Sequence, residues 1–198
     1  MVGLLGVSRL IDGINSRVGR WLAWLILVAV IISTVNALIR KIFDTSSNSW
    51  LELQWVLFGA VFLLCSPWTL LNNEHIRIDI VNSALPKTVR NVIDVVGHAL
   101  FLIPFCIIMV MVSGPFFMRS FSINEQSLNA GGLPQWPAKF LILLGFIVLL
   151  VQGVSELIKR IAIMTGHLQD TTSGGGHHAS AEAEAARLLE QVESHNAR

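Results

Sequence analysis

The chain has 198 residues, of which 53% are hydrophobic and only 14% are charged, and its mean hydropathy is +0.63. A soluble globular domain carries about 25% charged residues, so this composition argues against a soluble enzyme and a disordered chain. The net charge is +1 without a basic block, which argues against nucleic-acid binding. Cys65 and Cys106 lie in apolar runs and have no metal-ligand spacing.

Four runs without a charged residue cover positions 21–39, 53–73, 95–118 and 140–155. A helix needs roughly 20 apolar residues to cross the hydrocarbon core of a bilayer. The sequence therefore predicts an all-α polytopic membrane protein with a four-helix transmembrane domain over residues 21–165. Its four spans are expected at about 21–39, 50–72, 93–118 and 137–158.

The basic residues predict the orientation of these spans. Within residues 1–165, eight Lys and Arg side chains fall on the side of the two termini and four on the other side, so both termini should be cytoplasmic. Prolines 67, 104 and 115 predict kinks in the second and third helices.

A cleaved signal peptide is the competing interpretation of the first run. Its length, and the lack of a basic residue before Arg9, favour an uncleaved span.

The segments outside the spans have their own patterns. Residues 1–20 place apolar side chains on one helical face, with Arg9, Asp12, Ser16 and Arg20 opposite, which predicts an amphipathic interfacial segment. A plain start to the first span fits this pattern equally well. Residues 166–198 are predicted to be a flexible linker and a short polar helical tail.

Ionisable and amide side chains within the spans are candidates for function, because burying them in lipid is costly. Glu52 lies near the start of the second span. Asp94 and His98 share a helix face in the third span, as Gln152 and Glu156 do in the fourth. All five lie near an interface and not at the midplane, where transporter sites usually lie. Interfacial anchoring or helix packing is therefore favoured over conduction.

Two spans also carry stripes of small and polar residues, which allow helices to approach closely. The stripe on the first span contains Ala29, Ser33, Asn36 and Ala37, and the stripe on the fourth contains Gly145, Gln152 and Gly153. The stripes could pack the four spans together or dock a partner.

The two loops that flank the third span have distinctive sequences. After the second span, isoleucines alternate with His75, Arg77 and Asp79, which predicts one apolar and one polar face. Residues 130–137 precede the fourth span and read AGGLPQWP. Their glycines permit a tight turn, Pro134 interrupts it, and a Trp anchors the helix start at the interface.

These motifs together resemble one family. The sequence HIRID at 75–79 and the sequence GLPQWP at 132–137 resemble the DctQ-type small membrane subunit of tripartite ATP-independent periplasmic (TRAP) transporters. Glu52 at the start of the second span and the Phe-Gly-Ala triplet centred on Gly59 also match. The resemblance covers roughly residues 15–165, and the tail after Gly166 departs from it.

The resemblance implies a transport role without an enzymatic activity or a cofactor in this chain. It implies a large TRAP membrane subunit that carries the substrate and sodium sites, and a periplasmic substrate-binding protein that delivers an organic acid, such as a C4-dicarboxylate or sialic acid. This chain would be a multi-pass scaffold in the bacterial inner membrane, in contact with membrane lipids. No catalytic or metal-binding residues are expected.

The resemblance also suggests roles for individual residues, for each of which plain interface anchoring is an equally good interpretation. Arg77 and Asp79 would hold their loop or contact the large subunit at the cytoplasmic rim, with His75 at the headgroup level. Glu52 would pair with a basic residue of this chain or of the large subunit. The residues expected to shape the periplasmic edge, near the docked binding protein, are Gly132, Leu133, Pro134 and Trp136.

Two other functions remain as alternatives. A haem- or quinone-binding membrane anchor of a redox complex would need paired histidines, whereas only His98 lies within a span and His75 at the edge of another. A self-contained small transporter or channel would need polar groups at mid-bilayer, which the sequence lacks.

Overall fold

The structure is a computed structural model that describes residues 2–45, 47–72 and 86–165. The predicted loop residues His75, Arg77 and Asp79, and the predicted linker and tail, lie outside the described residues. The described elements are all helical: α1 (Val2–Phe43), α2 (Asn48–Leu71), α3 (Lys87–Val96), a π-helical segment (Gly97–Leu102), α4 (Ile103–Ser122) and α5 (Trp136–Met164).

Four helices are long and apolar enough to cross a membrane. They are Gly3–Phe43, Asn48–Leu71, Val89–Ser122 and Trp136–Met164, where the third combines α3, the π segment and α4. The prediction of an all-α chain with four apolar spans is confirmed. The cytoplasmic placement of the termini stays a prediction. Residues 2–20 continue without a break into the first span, so both belong to the single helix α1.

Helix α5 lies at the centre of the bundle. It contacts α1, α2, α3, the π segment and α4, whereas the helix formed by α3 and α4 packs mainly against α5. The interior is built from small and polar side chains, while large apolar side chains face outward along α1 and α4. This inversion is expected in a bilayer, because lipid tails are as apolar as leucine and close contact between backbones is what holds helices together.

Two glycines show how closely the helices approach. A Cβ added at Gly19 in α1 would lie 2.5 Å from Cγ of Trp68 in α2. A Cβ added at Gly145 in α5 would lie 2.8 Å from Cβ of Leu63. Both distances are shorter than carbon atoms tolerate, so these positions accept only glycine at the present spacing of the helices. Gly145 belongs to the predicted packing stripe of the fourth span.

The π-helical segment coincides with a proline. Pro104 has no amide hydrogen, so the regular α-helical ladder loses one bond there. In the preceding turn the amide of Ile103 bonds to the carbonyl of His98, which is the five-residue spacing of a π-helix. The proline therefore distorts the third span. Pro67 and Pro115 lie inside α2 and α4, which continue past them.

Candidate functional site

A buried carboxylate organises the end of the bundle where α2 begins. Glu52 lies in the second turn of α2 and is only 6% exposed. Its Oε1 accepts hydrogen bonds from the Ser127 hydroxyl and from Nδ2 of Asn129 at 2.8 Å, and its Oε2 accepts the Leu133 amide at 2.6 Å. These four residues form the Glu52 network. It ties the loop between α4 and α5 to α2, about 80 residues away in sequence.

Two adjacent glycines let this loop close around the carboxylate. Gly131 has φ +70°, in the left-handed region where side chains are strained. Gly132 has no room for a side chain, because its Cβ would lie 2.5 Å from Cβ of Ser127 and 2.8 Å from Oε1 of Glu52. The Ser127 amide closes the loop by donating to the Leu133 carbonyl at 3.1 Å. The loop shape thus depends on glycine at both positions.

The first turn of α2 adds two further bonds to the same loop. Nδ2 of Asn48 donates to the Ala130 carbonyl at 3.0 Å, and the Ser49 hydroxyl donates to the Gly131 carbonyl. Every donor and acceptor in these contacts is neutral. The beginning of α2 therefore holds this loop at Ala130 and Gly131 and, through Glu52, at Leu133.

A charged pair fixes the other side of this loop to α5. The Lys139 ammonium bonds to Glu125 and lies 4.2 Å from the ring centroid of Phe116. Hydrogen bonding from Lys139 lowers the pKa of Glu125 below its ordinary value. The ring of Trp136 packs edge-on against Phe121, with centroids 5.4 Å apart. These contacts position the start of α5 relative to the end of α4.

The predicted site residues of this region meet in space. Glu52 contacts Leu133 directly and would be contacted by any side chain at Gly132. Pro134 pairs with Gln126 in an isolated β-bridge just before α5 begins. Among the described residues Glu52 has neutral donors, so the basic partner that we expected within this chain is not found there.

Gly59 lies two helical turns from Glu52, in the wall of a cavity of about 620 Å³ between α2, the loop and α5. Its missing Cβ would meet nothing within 4 Å. Part of the wall of this cavity is apolar and includes Trp55, Leu63 and Leu141. Unlike Gly132, Gly59 is not required by packing among the described residues. It leaves a recess in the outward surface of α2.

The opposite end of the bundle is organised by an amide. Gln152 of α5 is completely buried. Its Oε1 accepts from Nδ2 of Asn15 at 2.6 Å, and its Nε2 donates at 2.9 Å to Oδ1 of Asp12 and to Oε1 of Glu156. All hydrogen-bonding groups of its side chain are used. We call this set, together with Lys159, the Gln152 network.

Lys159 supplies the positive charge of the Gln152 network. Its ammonium lies 2.9 Å from Oδ2 of Asp12 and 2.5 Å from Oε1 of Glu156. Two carboxylates thus share one ammonium and one amide, which offsets their mutual repulsion. A hydroxyl pair, Ser8 and Ser155 at 2.6 Å, extends the contact between α1 and α5. The predicted pairing of Gln152 and Glu156 on one helix face is therefore part of a contact between two helices.

A second ion pair joins α3 to α5. Arg160 lies 3.2 Å from Oδ2 of Asp94 and donates to Oδ1 of Asn91 at 3.4 Å. His98 bonds through Nδ1 to the backbone carbonyl of Asp94 at 2.6 Å. The two predicted face-sharing residues are therefore close, but the carboxylate of Asp94 is directed at α5 and does not pair with the imidazole.

Sequence reasoning missed most of the α1 contribution to this end. The amphipathic pattern placed Asp12 on the outer polar face, whereas it contacts α5, and Ser8 and Asn15 are buried. A signal for this face exists in the sequence. Small or polar residues recur at multiples of seven positions, which keeps them on one side of a long helix. Those that are buried are Ser8, Asn15, Ala29 and Asn36.

The contacts in both networks are of the kind that stabilise a fold. Within residues 2–45, 47–72 and 86–165, no group of three or more His, Cys, Asp or Glu side chains is placed to hold a metal ion. The two networks lie at opposite ends of the bundle and join helices that are distant in sequence. Each carboxylate is satisfied by groups of the same chain, which lowers the cost of placing it beside lipid.

Comparison with known proteins agrees with this architecture. Residues 29–162 match the family described as "Tripartite ATP-independent periplasmic transporters, DctQ component". A comparison with curated proteins found no match. The family match covers more than half of the chain, including all of α2 and nearly all of α5. The DctQ family is a transporter component and not an enzyme family. The chain therefore belongs to the DctQ family and is the multi-pass small permease subunit of a TRAP transporter.

Proposed function

We propose that this chain is the scaffold on which a large TRAP membrane subunit moves its substrate during uptake. The large subunit carries the substrate and sodium sites, and a periplasmic binding protein delivers the solute. The solute is an organic acid, such as a C4-dicarboxylate or sialic acid, and a sodium gradient drives its uptake across the bacterial inner membrane. The chain itself needs no cofactor.

The use of the ionisable groups is the observation that supports this proposal most directly. A transport site needs polar groups that are free to exchange a ligand. Here Glu52, Asp12 and Glu156 are engaged by donors of the same chain at the two ends of the bundle. Rearranging either network would cost the hydrogen bonds that join the helices. Such a bundle suits a part that stays rigid while its partner moves.

The outward surface supports a role as a partner subunit. Large apolar side chains are exposed along α1 and α4, where lipid or another membrane protein must cover them. The recess at Gly59 lies two helical turns after Glu52 along α2, in the wall of the same cavity as the exposed ring of Trp55. We propose that the large subunit covers part of this surface. The loop with Leu133, Pro134 and Trp136 would face the docked binding protein.

Affinity purification of a tagged copy from its native membrane in mild detergent, followed by mass spectrometry, tests the proposal. We expect a stoichiometric, much larger polytopic membrane protein of the TRAP type. Proteoliposomes that hold both membrane subunits should take up the organic acid only with the binding protein and an inward sodium gradient. Recovery of the chain alone, or with redox subunits and a haem absorbance band, would contradict the proposal.

One substitution tests the predicted rim of the interface. Arg77→Ala should reduce co-purification of the large subunit and sodium-driven uptake together, if Arg77 contacts that subunit or orders its loop. Lys41→Ala is a matched control, since Lys41 is an exposed basic residue at the end of α1. Unchanged co-purification and unchanged uptake in the Arg77 variant would remove this residue from the interface.

A further inference from the structure

The first half of α1, residues 2–20, has three distinct faces. One face contacts α5 through Ser8, Asp12 and Asn15. A second face is apolar and points away from the bundle. Its large side chains are 43–64% exposed and comprise Leu4, Val7, Leu10, Ile14 and Val18. Since α5 already occupies the polar face, the apolar face must be covered by something outside the described chain.

The third face is basic. At 100° per residue, Arg9, Arg17 and Arg20 fall on an arc between the apolar face and the side that contacts α5. All three are exposed, and no ion pair joins them to a carboxylate within the described ranges. Asp12, the sole acidic residue of this segment, is paired with Lys159. The outward charge of the segment is therefore purely positive.

The contacts with α5 place this segment at one end of the bundle. Ser8 and Asn15 of α1 bond to Ser155 and Gln152, and Asp12 pairs with Lys159. These partners lie in the last four turns of α5, which ends at Met164. Lys side chains near the end of a span reach toward the membrane–water interface, so residues 8–15 lie near that interface.

We propose that residues 2–20 form a membrane-surface arm that binds anionic phospholipid. The apolar face would enter the boundary between headgroups and acyl chains, and the arginines would bind lipid phosphates. The charge of the arm favours lipid over other occupants, because exposed arginines beside an apolar stripe complement an anionic headgroup above its acyl chains. This inference does not depend on the proposed transport function.

Fluorescence depth measurements on the full chain alone, in nanodiscs of phosphatidylcholine and phosphatidylglycerol, test the arm. In a background with Cys65→Ala and Cys106→Ala, an environment-sensitive label is placed on Ile14→Cys in the apolar face. The matched control is Gly13→Cys, one residue away on the basic arc, where a side chain meets nothing within 4 Å. Acyl-chain spin labels should quench the label at 14 strongly, and aqueous iodide should quench the label at 13.

A preference for anionic over zwitterionic lipid tests the role of the three arginines. Quenching of the label at 14 by headgroup-labelled phosphatidylglycerol should exceed quenching by labelled phosphatidylcholine several-fold. Each arginine near an anionic surface is worth about fivefold in binding. Changing all three arginines of the arm to Gln should bring the ratio close to one, whereas Lys41→Gln with Arg119→Gln, at the other end of the bundle, should leave it unchanged. High salt should act like the triple variant.

Two results would overturn the proposal. Equal exposure of the labels at 13 and 14 to iodide in the lone chain would show that the apolar face does not enter the membrane. Protection of the label at 14 only after the large subunit is added would assign this face to a protein contact. Because the measurements use the lone chain, they can fail or succeed whatever the co-purification experiment shows.

Discussion

The two ends of the bundle stabilise their carboxylates in different ways. At one end, the carboxylate of Glu52 is satisfied by a hydroxyl, an amide and a backbone N–H, all neutral and all from one loop. At the other end, the carboxylates of Asp12 and Glu156 share the ammonium of Lys159. Both arrangements join a helix to a segment that is far away in sequence.

The difference shows what each end depends on. Neutral donors stabilise a carboxylate only when they are held in place, so the Glu52 network depends on the backbone shape of its loop and on Gly132. Charges tolerate looser geometry, because their attraction falls slowly with distance. The Gln152 network should therefore depend on its charge balance and its buried amide. The following substitutions test this difference between the two ends of the bundle.

We expect the largest effect from Glu52→Ala. It removes the shared acceptor of three donors and so releases the loop from α2. Thermal unfolding in detergent should show the greatest fall in Tm of all the substitutions considered, and the loop should become sensitive to protease. Gln54→Ala, half a turn further along α2, is the control. A Tm near that of the parent would show that the network is not needed for stability.

Arg160→Leu should have the next largest effect. It removes the cation that faces Asp94, and breaking a buried ion pair typically costs about 3–5 kcal/mol. Unfolding by sodium dodecyl sulfate, followed by circular dichroism, would measure the loss. The double variant Asp94→Leu with Arg160→Leu should be more stable than Arg160→Leu alone, because it removes both charges. A double variant that is less stable than the single would contradict this assignment.

Removing the buried amide should have a moderate effect. Gln152→Ala and Asn15→Ala each delete one partner of the 2.6 Å bond between α5 and α1. In a double-mutant cycle we expect a coupling free energy of about 0.6–1.7 kcal/mol, the range found for hydrogen bonds between transmembrane helices. A coupling of zero would mean that the two amides do not interact in the folded protein.

Gly132→Ala tests the geometric dependence of the Glu52 network. The added methyl would overlap Ser127 and Glu52, and overpacking of this kind costs about 1–3 kcal/mol. Gly6→Ala in α1 is the matched control, because a Cβ there meets nothing within 4 Å. The control should unfold like the parent or be slightly more stable, since alanine favours a helix. Equal stability of both variants would show that the loop can relax without loss.

The smallest expected effect is on acid stability. The pKa of Glu125 is lowered from its ordinary value of 4.5 by hydrogen bonding from Lys139. The contribution of ionised Glu125 to the free energy of unfolding is therefore complete above pH 4.5. It is lost as the pH falls through the lowered pKa. Tm should fall slightly on acidification below this range, and less steeply in Lys139→Met than in Lys41→Met. Solvent screening keeps the effect small, since the Glu125 side chain is 37% exposed.

Local patterns in the sequence were sufficient to predict several features of the candidate site. Charge-free runs predicted the four spans, and the fourth-span stripe with Gly145 and Gln152 is indeed buried. The resemblance singled out Glu52 and the 132–137 motif, which the fold brings together. The partners of Glu52 on the loop, Ser127 and Asn129, were missed, because such residues are common in loops and their spacing indicates no particular contact.

The amino-acid sequence is enough to show that this protein spans a lipid bilayer, because bilayer thickness sets the length and apolarity that a span must have. It also determined the family, through short motifs. The tertiary structure alone decided which polar groups meet: Glu52 with the loop, Asp12 and Asn15 with α5, and Arg160 with Asp94. Such pairings depend on the crossing angle and register of helices, which arise from the packing of many side chains and from no local pattern.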